Sequence, residues 1–220
     1  MATVTELRDM ARTLGLWNTV VGRIDITDET VSNMEYLYRI FNAEIEMRKT
    51  KKKETLCHES HLPDKTFDHS RITKGLQWQL QRTEQIDFKN SIENFVIVGD
   101  CATGKTSLTS EIGGYALSKM AKVQYISQED LLLAIRNQSP RWKKILKADM
   151  MIIDDVFYIA PTDAELTTFY KAITFLSETH SLVIVTNRKL SEWKDMGADR
   201  HLAETLRKRL MANAQLIHLK

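Results

Sequence analysis

The run Gly99-Asp100-Cys101-Ala102-Thr103-Gly104-Lys105-Thr106 meets every fixed position of the phosphate-binding pattern G-x-x-x-x-G-K-[ST], directly after the apolar run Asn94-Phe95-Val96-Ile97-Val98. A polyphosphate carries several negative charges that must be met without steric conflict. Small residues let successive backbone N–H groups turn inward as an anion-binding nest, and a following helix adds the partial positive charge of its N-terminus. Lys105 can reach the β- and γ-phosphates, and the Thr106 hydroxyl can join the shell of a Mg²⁺ ion. The spacing of Leu108, Ile112, Tyr115 and Ala116 predicts that helix, so the cradle for ATP spans Gly99 to Ser107. A bare glycine turn with a chance lysine would need neither the strand before it nor the helix after it.

Two further strand ends carry polar groups. Met150-Met151-Ile152-Ile153-Asp154-Asp155 is an apolar run closing on two carboxylates. Behind a phosphate loop, Asp154 is expected to hold Mg²⁺ through water, and Asp155 to orient or deprotonate the attacking water. A buried strand ending in solvated acids is the plainer alternative. Ser181-Leu182-Val183-Ile184-Val185-Thr186-Asn187 closes on an amide. In a parallel sheet the ligand-bearing strand ends share one edge, which places Asn187 near the γ-phosphate as a sensor. Asparagine also favours strand-to-loop turns for its own sake.

The order of loop, acidic strand, Asn strand and basic helix resembles the AAA+ ATPases. The stretches Ala148 to Tyr158, Thr186-Asn187 with Leu190-Ser191-Glu192-Trp193, and Leu206-Arg207-Lys208-Arg209-Leu210 resemble the IstB-like transposition helpers, in the branch that also holds the DnaC-like helicase loaders. The resemblance runs from Asn94 to the C-terminus and extends more weakly over the N-terminal helices. It implies an ATPase that assembles as a homo-oligomer with shared ATP sites on double-stranded DNA and presents that DNA to a transposase. The alternatives are a helicase loader acting on single-stranded DNA and a DNA-binding scaffold that scarcely hydrolyses ATP. Arg209 is implied as the arginine finger given to a neighbouring subunit, with Arg207 as its substitute. The loop departs from its relatives by carrying Cys101 and Ala102 where Pro and Gly are frequent, so Ala102 is expected to lose access to positive φ. The strand-like run 215–219 lies just before Lys220, so no C-terminal helical lid is expected.

The elements that must position these groups follow from punctuation. Strands alternating with helices predict an α/β fold, a parallel sheet covered on both faces by helices. Val123-Gln124-Tyr125-Ile126 reads as a strand, Ser127 and Thr162 as helix caps. Ahead of the sheet, Val4 to Leu14 reads as a short helix. Val31, Met34, Leu37, Tyr38, Phe41 and Ile45 predict a longer one from about Asp28 to Lys51. The break at Leu62-Pro63-Asp64 divides a helical domain, 1–62, for DNA or partner binding, from an ATPase domain, 63–220.

At 220 residues and 43% hydrophobic the chain suffices for one sizeable core and a small accessory module. A net charge of only +2 means that nucleic-acid binding must rest on local patches. The patches are Arg48, Lys49, Lys51, Lys52 and Lys53, and the segment with Arg136, Arg141, Lys143 and Lys144. Each would contact phosphates without reading sequence, and each is equally a solvated helix end. Two distant cysteines and no apolar signal core or membrane-length run fit a cytoplasmic protein without membrane association. Cys57, His58 and His61 fall short of a four-ligand zinc site.

Overall fold

The computed structural model describes residues 3–25, 32–196 and 199–219. The chain forms two compact units, Met1–Thr55 and Leu56–Lys220. The first unit is helical. Helix α1 (Val4–Thr13) starts at Thr3 in a reciprocal cap, the Thr3 hydroxyl accepting from Glu6 N–H while the Glu6 carboxylate accepts from Thr3 N–H. Helix α2 (Trp17–Val20) is a single turn, and α3 (Asn33–Ser60) begins in this unit. Asp28 and Val31, where the sequence pattern starts the long helix, lie outside the described residues.

Helix α3 continues nine residues past the expected end at Lys51. Lys, Arg and Glu are good helix formers, so a basic run does not end a helix. The stop is local: His61 takes a left-handed φ of 55°, the C-terminal conformation that ends helices, and Leu62-Pro63 follows.

The second unit is a five-stranded parallel sheet: β1 (Asn94–Gly99), β2 (Val123–Ser127), β3 (Met150–Asp154), β4 (Ser181–Thr186) and β5 (Ala214–Leu219) in the order β2-β3-β4-β1-β5. Helix α4 (Lys74–Gln85) precedes the sheet, α5 (Lys105–Ser118) joins β1 to β2, and α6 (Gln128–Arg136) and α7 (Pro140–Ile145) join β2 to β3. Helix α8 (Asp163–Thr179) leads to β4, and α9 (Arg200–Ala212) to β5. Every residue of β1, β3 and β4 is buried, as parallel strands covered on both faces must be.

Alternation along the strands divides the core into two layers. On one face Phe95, Ile97, Ile152 and Val183 pack with Leu108 and Ile112 of α5. On the other, Val96, Met151, Ile153 and Ile184 pack with Phe169, Leu206 and Trp193. The capping residues expected at Ser127 and Thr162 both accept from the first turns of α6 and α8. Among the described residues no helix is long and apolar enough to cross a membrane.

Candidate nucleotide site

Helix α5 begins at Gly104, which sits at a φ of 89° and supplies no side-chain cap. The N–H groups of the first helical turn therefore have no intrahelical acceptor, and no acidic residue lies there to occupy them. That is an anion site at the C-terminal end of a buried strand. The Lys105 ammonium reaches back over the loop to the Asp100 carbonyl at 2.6 Å, and the Thr103 hydroxyl donates to the same oxygen at 2.9 Å. Asp100 and Cys101 are exposed at the loop's tip. Gly99 is required by crowding, since a Cβ there would lie 2.7 Å from the Thr103 hydroxyl and 2.8 Å from the Leu219 carbonyl.

The expectation for Ala102 is corrected. It adopts a φ of 64°, the left-handed region it was expected to lose. This conformation costs an alanine about 1–2 kcal/mol, which the closure of the loop around Gly104 imposes. Ala102→Gly should therefore raise stability by about 0.5–1 kcal/mol. A urea melt in which the variant unfolds at the wild-type midpoint, or earlier, would show that the loop stores no such strain.

Beside the loop lies a cavity of about 440 Å³. Its walls include Phe67, Ile72 and Leu76 from the segment before the sheet, Ala102 and Ser107 from the loop and helix, and Leu219 from the last strand. The Phe67 ring lies 3.4 Å from where a Gly104 Cβ would be. A slot with an apolar wall of Phe67, Ile72 and Leu76 and polar groups from Thr66, Asp68 and Thr73, adjoining an anion cradle, suits a molecule with a flat base at one end and phosphates at the other. The residues from Thr66 to Leu76 were missed in the sequence, because nothing in their local pattern says what they face.

The carboxylates converge on the same edge. The Thr106 hydroxyl lies 3.4 Å from Asp154 Oδ2, and that oxygen also accepts from the Tyr125 hydroxyl at 2.5 Å. Asp154 Oδ1 accepts from Asp155 N–H at 2.7 Å. A hydroxyl and a carboxylate meeting beside a phosphate cradle are the hard oxygen donors that Mg²⁺ selects. Asp155 points outward, with no side-chain hydrogen bond among the described residues. Desolvation on its inner side, then the charge of Asp154, raise its pKa above the ordinary carboxylate value, and Lys105 opposes them.

Asp155 stands on a turn that the structure holds tightly. It takes a φ of 55° and Phe157 one of 59°. Val156 N–H donates to Val185 O at 2.9 Å, the Thr186 hydroxyl to Val156 O at 2.7 Å, and Phe157 N–H to the buried Gln128 side chain at 3.0 Å. Phe157 is fully buried and meets Trp193 edge-to-face at 4.8 Å and Phe169 at 5.9 Å. The separate sequence stretches around Phe157 and Trp193 are thus one aromatic joint. Each fully buried side chain of this kind contributes about 1.5–3 kcal/mol, enough to offset a left-handed residue.

Asn187 follows β4 and lies over the loop, its Nδ2 3.9 Å from the Cys101 sulfur. Its Oδ1 is buried without a partner among the described residues. Lys105, Thr106, Asp154, Asp155 and Asn187 are therefore brought to one edge of the sheet. Arg209 is not. It lies in the last turn of α9, pairs with Glu178 and borders a small cavity with Asn94. Asn94 and Gly99 are opposite ends of β1, about 17 Å apart at the rise of a strand. Arg207 is bound to Glu204 by two bonds, at 2.6 and 2.9 Å.

The cations suggested for DNA fall into two groups. Several are occupied within their own unit: Arg48 donates to Gly15 O at 3.2 Å, Lys49 pairs with Glu46 at 2.8 Å, and Lys51 lies 5.8 Å over the Trp17 ring. Arg141 turns inward to donate to Tyr125 O at 2.7 Å, and Lys144 pairs with Glu59 at 3.0 Å. Arg136 lies beside Glu165 in a groove between α6 and α8. Lys52, Lys53 and Lys143 are exposed, and no side-chain partner holds them among the described residues.

The chain matches the family described as IstB-like ATP binding protein over residues 5–220. It is 26% identical to a Geobacillus stearothermophilus protein named for ATP binding and the insertion sequence IS5376, over 86% of this chain and 80% of that one. It is 26% identical to the corresponding protein of IS232 from Bacillus thuringiensis subsp. berliner, over 97% and 88%. Among solved structures it is similar to the DnaC helicase loader, with a TM-score of 0.56 and 17% identity over 70% of this chain and 93% of that one. It is equally similar to AMPPCP-bound DnaA from Aquifex aeolicus, with a TM-score of 0.56 and 17% identity over 73% and 51%. The fold is that of the AAA+ P-loop ATPases, and the chain belongs to the family of IstB-like ATP-binding proteins.

Proposed function

We propose that this protein is an ATP-dependent, DNA-binding helper of insertion-sequence transposition, which assembles on duplex DNA and delivers it to a transposase. The observation that carries the reading is the convergence of Lys105, the Thr106–Asp154 pair and Asn187 at the edge where α5 offers its N-terminus. The relatives named for insertion sequences support the transposition part.

In this reading the α5 N-terminus and Lys105 bind the phosphates, and the wall of Phe67, Ile72 and Leu76 takes the base. Thr106 and Asp154 hold Mg²⁺, the aspartate through water, and the cation supplies neutralisation of phosphate charge. Asp155 orients or deprotonates the attacking water, and Asn187 reports on the γ-phosphate. Arg209 completes the site of a neighbouring subunit, since it stands a strand length from its own loop. Residues 1–62 serve DNA or partner binding and 63–220 serve ATP, with hydrolysis as the step of release.

Duplex DNA is expected to bind through Lys52 and Lys53 of the helical unit and, separately, through Lys143 of the sheet unit, candidate cations without a side-chain partner among the described residues. ATP-loaded protein should then bind double-stranded oligonucleotides at least as tightly as single-stranded ones, with little sequence preference. Affinity should fall steeply with salt, and each of these lysines changed to Ala should flatten the log–log slope by about one unit. Titration of matched single- and double-stranded oligonucleotides across salt concentrations checks this. A strong preference for single strands would favour the helicase-loader reading instead. Loss of all ATP dependence would count against both.

A further inference from the structure

Tyr125 belongs to no motif, yet it touches the buried carboxylate of Asp154. In the β2–β3 register Tyr125 stands opposite Ile152 and Ser127 opposite Asp154, so Tyr125 and Asp154 are diagonal neighbours on one sheet face. A phenol is long enough to cross that diagonal. Its hydroxyl donates to Asp154 Oδ2 at 2.5 Å, the same oxygen that Thr106 approaches at 3.4 Å.

The carboxylate needs such a donor. Asp154 is only 5% exposed and stands beside a second acid, Asp155. An ionised group so placed is stable only if its lone pairs are met. Oδ1 is met by Asp155 N–H. Oδ2 has a distant partner in Thr106 and a close one in Tyr125. The tyrosine itself is anchored, its carbonyl accepting from Arg141 at 2.7 Å and its ring packing against the α5 side of the core. Its hydroxyl oxygen retains a lone pair that can accept from a water on the cation.

We propose that Tyr125 is the positioning residue of the metal site: its hydroxyl fixes the orientation in which Asp154 presents its oxygens to Mg²⁺. This rests on the reading of the loop as an Mg–ATP site. Hydrogen bonds that orient a metal-binding carboxylate are generally worth 10–100-fold in metal affinity. The ring of a phenylalanine would fill the same space and lack only the donor, so Tyr125→Phe separates positioning from packing.

The experiment titrates a fluorescent ATP analogue into full-length wild type and Tyr125→Phe, in EDTA and at a series of Mg²⁺ concentrations. The expected result is unchanged affinity in EDTA and a roughly tenfold higher Mg²⁺ concentration for half-maximal tightening in the variant. Tyr125→Phe added to Asp154→Asn should then cost nothing further, because the two act through one carboxylate. A variant with the wild-type Mg²⁺ midpoint overturns the proposal. So does an equal loss in EDTA, with or without a lowered thermal midpoint, which would make Tyr125 a packing residue. Additive losses in the double variant overturn it as well. Wild type that binds no nucleotide under any condition would instead remove the Mg–ATP reading on which the proposal stands.

Discussion

Lys105→Ala protein will not bind ATP, whereas Asp155→Asn protein will bind it and fail to turn it over. The two residues stand at the same sheet edge but act on different atoms. Among the described residues the Lys105 ammonium is the one side-chain cation seen to close over the loop, and its partner there is a backbone carbonyl that phosphate oxygens can replace. Its removal takes away charge-assisted bonds to phosphate and should weaken binding by at least about 100-fold, or roughly 2.7 kcal/mol. Asp155 makes no bond that shapes the loop, so its amide should leave affinity near wild type. A missing general base costs about 10²–10⁴-fold in rate. Equilibrium titration with a fluorescent ATP analogue and a phosphate-release assay read the two effects separately. Equal turnover by Asp155→Asn and wild type would show that the base is another residue.

Arg209→Ala protein should be inactive alone and regain activity when mixed with Lys105→Ala protein. Arg209 and the loop occupy opposite ends of β1, so no single chain can bring its own guanidinium to its own phosphates. In a mixed oligomer, a subunit with an intact Lys105 can receive Arg209 from a Lys105→Ala neighbour. Random assembly of equal amounts puts that arrangement at about a quarter of all interfaces, so about a quarter of wild-type turnover should return. Because a finger arginine is worth about 10³–10⁵ in rate, this recovery stands far above background. Mixing that restores nothing, with turnover per chain independent of concentration, would show that each site is complete within one chain. The Glu178 pair does not oppose this role, since an exposed ion pair contributes little and exchanges readily.

Much of the fold was legible because its signals are local. Apolar runs closing on Gly99, Asp154 and Thr186 are strands, and the caps at Ser127 and Thr162 mark helix starts without any knowledge of neighbours. The loop pattern likewise encodes its own backbone path. The failures share the opposite character. Ala102 adopts a left-handed φ because loop closure outweighs its intrinsic preference. The cavity wall of Phe67 and Ile72 and the Tyr125–Asp154 bond join residues far apart in sequence, through sheet register and packing that no window of sequence contains. Arg141 reads as a surface cation in a basic run, yet it points inward because the Tyr125 carbonyl lies within its reach.

The last strand gives the site a mechanical character. β5 lies at an edge of the sheet, hydrogen-bonded to β1 alone, and most of its residues are only partly buried. Its closing residues, His218 and Leu219, are part of the cavity wall, and Leu219 is also the surface against which Gly99 is pressed. Edge elements with few buried contacts are the first to open in a folded protein. Fraying of this edge therefore removes one wall of the cavity and the backing of the phosphate loop in a single event. On the proposed reading, a nucleotide in this cavity would act as a clasp that holds β5 in the sheet.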